Sequence, residues 1–245
     1  MTPHVVDDPS ALTVRAQHFL AQHSRRGATL DRDQLRDRWT DVGGPEGGLD
    51  RLVEFSARYG GLSFCQERPE CDGQHKYQYN FSIYTSSWEP TDSDDWVAVV
   101  GDTEGCQLTF DWSTGRIGVD VVGPETWIAD SVVNLIESAA LAQYIYGSIA
   151  PHRMARRVDR WQEAVPVEGK GPGWGLANVS SERFRGLVPE VTQASSPWNR
   201  WFADEQVAVH AWLTTYEIDR EEVVMAWYRG AQGRQRIESV TGPLR

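Results

Sequence analysis

Residues 77–84 alternate, with Tyr77, Tyr79, Phe81 and Ile83 on one side and Gln78, Asn80, Ser82 and Tyr84 on the other. A period of two is the signature of a strand with one buried face. Trp96 to Val100 reads as a second, apolar strand, and Gly101 to Gly105 as an acidic turn. Cys106, Leu108 and Phe110 alternate again before Ser113-Thr114-Gly115 reverses the chain into 116–122. Connections this short cannot make parallel crossovers, so the segment must be an antiparallel meander.

Helical spacing surrounds that meander. Ser10 is expected to cap a helix over 11–23 with Leu12, Ala16, Phe19, Leu20 and His23 on one side, and Thr29 to cap a second bearing Leu30, Leu35 and Trp39. A third, over 49–59, turns Leu52, Val53, Phe55 and Tyr59 inward and ends at Gly60-Gly61, where glycine permits a left-handed residue. Asp130 or Ser131 caps a last helix to about Ile149, with Val133, Ile136, Ala140, Tyr144 and Ile145 inward. Helices, then a meander, then a helix make an α+β fold. Pro151 is the expected boundary between a domain over 1–150 and an extension over 151–245, a mixed α/β tail expected to pack on it. The tail reads as a short helix over 152–163, a Gly/Pro-rich linker over 169–175 and a helical turn from Ser195 through Trp201 and Phe202. A strand over 207–213 and its hairpin partner over 223–228 follow.

With 245 residues, 40% of them hydrophobic, the chain can bury its own core. Met1 to Ser10 carries Asp7 and Asp8 and no basic or apolar run, and the most apolar stretch, 127–149, is interrupted by Asp130, Asn134, Glu137 and Gln143. Three cysteines fit a reducing compartment, so the expectation is a cytoplasmic protein without a membrane partner. The net charge of −11 is concentrated early: residues 1–150 hold 11 basic and 23 acidic side chains. Residues 77–115 hold Glu89, Asp92, Asp94, Asp95, Asp102, Glu104 and Asp111 and no Lys or Arg. Such a surface repels phosphate backbones, which argues against nucleic acid, and attracts basic proteins.

Four features in order resemble the SUKH superfamily of bacterial immunity proteins. They are a helix ending in Tyr59-Gly60-Gly61-Leu62, the alternating strand, the strand end Val99-Val100-Gly101-Asp102, and the hairpin Asp111-Trp112-Ser113-Thr114-Gly115 followed by Trp127 and a helix. The resemblance covers about residues 10–150. It implies an α+β fold, a role in binding partner proteins, most often neutralising a toxin, and no catalytic residues. About 95 residues lie beyond the family's usual end.

Several clusters admit two readings. Cys65, Cys71 and His75, with Cys106 as a fourth ligand, form a weak zinc candidate whose C-x5-C gap is looser than structural fingers use. Packed, reduced cysteines are the simpler reading. Asp92, Asp94, Asp95, Asp102 and Glu104 lack the pattern of a calcium loop and read as a docking edge or as solvated loops. The glycines at 43–48 and 169–175 follow no predicted strand and have no Walker lysine. Arg153, Arg156, Arg157 and Arg160 share a helical face that can grip an acidic partner or, the simpler reading, the chain's own acidic edge. Six of the 11 tryptophans lie beyond residue 150; most are expected in the core, with Trp198 and Trp201 as exposed anchors. The leading expectation is a non-catalytic protein, without a cofactor, that docks a basic partner such as a nuclease toxin through Asp92, Asp94, Asp95, Asp102 and Glu104, with Trp198 and Trp201. The alternative is a small-molecule-binding protein or enzyme with an aromatic pocket between its two parts.

Overall fold

The computed structural model describes residues 3–44, 47–70, 73–82, 88–90, 96–103, 106–120, 126–146, 161–164, 179–213 and 222–244. The chain is α+β and divides into two compact units. Unit 1 comprises 1–66 and 76–140, and unit 2 comprises 67–75 and 141–245. The division falls inside a helix, upstream of the expected boundary at Pro151, which lies outside the described residues.

Unit 1 opens with α1 (Val14–His23), β1 (Ser24–Arg26), α2 (Arg32–Val42) and α3 (Gly48–Tyr59). The caps differ from those expected. Thr13, not Ser10, caps α1, its hydroxyl accepting from the Ala16 N–H. Asp31, not Thr29, caps α2 in a reciprocal capping box with Gln34, which satisfies two orphan N–H groups at once. The left-handed residue after α3 is Gly61, with φ 79°, where a Cβ would stand 2.3 Å from the Gly27 carbonyl oxygen.

The meander is β2 (Leu62–Glu70), β3 (Gly73–Asn80), β4 (Trp88–Pro90), β5 (Trp96–Thr103), β6 (Cys106–Asp111), β7 (Ile117–Asp120) and β8 (Thr126–Ala129). With β1 these form a sheet in the order β1-β2-β3-β5-β6-β7-β8, with β4 also paired to β5. Strand β5 runs on through Asp102 and Thr103, which had read as part of a turn. A bulge between Val99 and Gly101 interrupts its pairing with β6. On one face Phe81, Ala98, Val100, Leu108, Phe110 and Ile117 pack with Phe19, Leu35, Leu52 and Phe55 of the helices.

The helix α4 (Val132–Tyr146) follows, with Ser131 accepting from the Asn134 N–H. Ile136, Ala140 and Ile145 are buried as expected, whereas Tyr144 is 48% exposed. Unit 2 contains β9 (Gln162–Glu163), two short 3-10 turns, β10 (Asn199–Ala203), β11 (Val207–Leu213), β12 (Glu222–Tyr228) and α5 (Gly230–Thr241). Its sheet runs β10-β11-β12-β9. Glu163, expected at a helix end, is in a strand, and so are Trp201 and Phe202, expected in a helical turn. Among the described residues no helix is long and apolar enough to cross a membrane.

Glu137 on α4 is a buried carboxylate of unit 1, at 1% exposure. It accepts from the Thr13 N–H at 2.6 Å and the Thr13 hydroxyl at 2.7 Å, and Arg15 stands 3.7 Å away. Thr13 therefore caps α1 and neutralises the cost of a buried acceptor. Thr13→Val should destabilise the protein by about 2–4 kcal/mol through loss of both roles, measured as a lower urea midpoint at unchanged m.

Candidate functional site

The bulge decides which acidic side chains reach the surface. Past it, Gly101 lies opposite Leu108, Asp102 opposite Gln107, and Thr103 opposite Cys106. On the neighbouring strands Asn80 lies opposite Asp102, and Asp120 opposite Gln107. Residues directly opposite share a face, with Cβ atoms about 5 Å apart. Asn80, Asp102, Gln107 and Asp120 therefore form one polar row across β3, β5, β6 and β7, on the face turned away from the helices' core. Gln107 is exposed, and Asp102 and Asp120 are half-buried. The Asn80 amide donates to Asp102 at 2.9 Å, holding that carboxylate in line. Further along this face Val99 and Thr109 are buried, so the row is its accessible end.

The register that aligns the row is held at the far end of the β6–β7 hairpin. Asp111 accepts from the Ser113 N–H at 2.8 Å, the Ser113 hydroxyl at 2.7 Å, the Thr114 N–H at 3.2 Å and the Thr114 hydroxyl. Burial alone would push this carboxyl up. The hydrogen bonds from Thr114 and Ser113 outweigh it and hold the group below the ordinary carboxylate range. Gly115, whose N–H donates to the Asp111 carbonyl, completes the turn with φ 85°.

Of the residues expected to bind a partner, Asp102 is in the row, whereas Asp92, Asp94, Asp95 and Glu104 lie outside the described residues. Asp120 and Asn80 were not anticipated, although counting back from the Ser113-Thr114-Gly115 turn pairs Asp120 with Gln107. Cys65 and Cys106 are half-buried free thiols. Cys71 and the His75 side chain lie outside the described residues, as do Trp174 and the Arg153–Arg160 run. Among the described residues no group of three or more His, Cys, Asp or Glu side chains is placed to hold a metal ion.

Trp198 is half-buried, but Trp201 is not the exposed anchor expected of it. Pairing of β10 with β11 sets Trp201 opposite His210, and both are fully buried. Their rings stack at 3.9 Å and 5°, with Trp227 6.4 Å from Trp201 and Trp212 4.6 Å from His210. His210 Nε2 meets Asn199 Oδ1 at 2.5 Å, and its Nδ1 meets the Tyr146 hydroxyl at 3.0 Å. An amide oxygen only accepts, so Nε2 carries the hydrogen, and in the neutral ring Tyr146 then donates to Nδ1. The Tyr-His-Asn series has the order of an acid-base relay, but it is sealed beneath tryptophans and organises the unit 2 core.

Two outcomes follow from these geometries. Asp111→Asn should cost about 2 kcal/mol at pH 7. Because the folded carboxyl titrates below its unfolded value of about 3.9, the stability it contributes is present above that pH and fades as pH falls through the folded value. The gap between wild type and Asp111→Asn in urea midpoints should therefore close below about pH 4, and a constant gap would refute the assignment. Tyr146→Phe should cost about 1–2 kcal/mol by removing the buried hydroxyl bond to His210 Nδ1, read by the same denaturation at pH 7.

Compared with family models, curated proteins and solved structures, the chain matches none.

Proposed function

We propose that this chain is a non-catalytic protein-binding protein, of the immunity or adaptor type, that docks a basic partner such as a nuclease toxin through the acidic end of its central sheet. The observation that carries the reading is the cross-strand row in which Asp102 and Asp120 flank the exposed Gln107, held in line by Asn80. Carboxylates held at fixed cross-strand spacing present an ordered electrostatic pattern, and such a field steers a cationic partner. The surrounding sequence supports it, since no Lys or Arg occurs between residues 77 and 115; the cations near Asp102 come from β1, where Arg25 and Arg26 line a pocket with Asn80 and Asp102, and Arg26 is paired with Asp7. The order of the SUKH-like motifs points the same way by analogy of fold. His210 takes no part in the docking surface, because stacked tryptophans and zero exposure leave no room for a ligand at its nitrogens.

Immobilised protein incubated with lysate of its native host should retain a basic protein at near-stoichiometric amounts and release it as salt rises. Reversing both charges, Asp102→Lys with Asp120→Lys, should reduce that capture by about tenfold or more at low salt. An empty eluate, or capture indifferent to the double reversal, would sink the docking reading.

A further inference from the structure

At the other end of the β6–β7 hairpin, unit 1 has a groove of about 350 Å³ that the docking reading does not use. Arg51, Glu54, Phe55 and Arg58 line one wall; at i, i+3, i+4 and i+7 they share a face of α3. The opposite wall is the turn from Trp112 to Gly115, and the groove closes at Ser131 and Val132. Its floor is aromatic: Phe55 and Phe110 have ring centroids 4.5 Å apart, and Tyr59 lies 5.3 Å from Phe55. Tyr59 and Trp112 are half-buried and offer ring surface to an occupant, whereas Phe55 and Phe110 are buried beneath. Arg58 is fixed by a 2.7 Å hydrogen bond to the Pro3 carbonyl, and Arg51 meets Glu54 loosely at 3.7 Å with both side chains more than half exposed.

Two guanidinium groups and one carboxylate leave this wall with about one net positive charge, on a chain whose net charge is −11. The charge matches a monoanion, since a dianionic phosphate would meet Glu54 with its second charge. Planar guanidinium groups pair with carboxylates through two parallel N–H donors. The accessible rings of Tyr59 and Trp112, over a base of Phe55 and Phe110, favour a flat apolar body, and the volume lies at the small end of ligand pockets. We propose that the groove is a binding site for a small aromatic carboxylate, its ring held between Tyr59 and Trp112 and its carboxylate facing Arg51 and Arg58. The site is independent of the acidic row, so either can fail alone.

Titration calorimetry of the full chain with indole-3-acetate, and with the neutral isostere indole-3-acetamide, separates charge from shape. The acid should bind at one site with a Kd at or below about 1 mM, and the amide about tenfold or more weaker. Arg51→Glu, on an exposed helical position, should weaken the acid about tenfold. Glu54→Ala should tighten it about twofold by removing the competing carboxylate. Melting curves confirm that both variants fold. No saturable binding of the acid, equal binding of acid and amide, or an unchanged affinity in Arg51→Glu would overturn the proposal.

Discussion

The bulge at Val99 and Gly101 is the constraint from which the external chemistry of unit 1 follows. A Cβ on Gly101 would stand 1.8 Å from the Asn80 carbonyl oxygen, so only glycine lets β3 and β5 approach this closely. One extra residue in a strand flips every side chain beyond it to the other face. Without the bulge, Asp102 would turn toward Phe81 and Leu108, where an unpaired carboxylate is untenable. With it, Asp102 joins Gln107 and Asp120 on the opposite face, while Val100 stays in the core. A packing requirement and the placement of a charged row are thus met by the same residue.

Buried polar groups in the two units are handled alike but serve different ends. In unit 1 the buried carboxylates Glu137 and Asp111 each gather several donors, so that one joins α1 to α4 and the other fixes the register of a hairpin. In unit 2 an imidazole takes that part, with Tyr146 and Asn199 at its two nitrogens and tryptophan on its face. Unsatisfied, any of these groups would cost more than a neutral residue in its place. Satisfied, they permit few alternative packings.

Long periodic segments were legible in the sequence, and local chemistry was less so. Helices α1 to α4, the strand carrying Tyr79 and the β6–β7 hairpin follow from spacing alone, because period and length agree there. Strand β2 carries Pro69 and a dense run of charge, which hides its alternation, and α5 begins at Gly230-Ala231-Gln232-Gly233, a poor helix signal. There Gly233 is required because a Cβ would meet the Gln206 carbonyl oxygen at 2.5 Å. Trp201 was expected in a helical turn opening at Ser195, whereas pairing with β11 draws it into the core. The acidic stretch was legible as charge. Its ordering into a row was not, since that depends on a bulge that no periodicity announces.

The central claim is that fixed carboxylates steer a cationic partner onto this sheet end. The most direct test is the association rate of the captured partner across ionic strength, by stopped flow, from about 0.01 M to about 0.1 M salt, where the screening length falls from about 30 Å to about 10 Å. The account predicts an on-rate that drops at least tenfold over that range while the off-rate changes little. An on-rate flat in salt would mean that the carboxylate row takes no part in recognition.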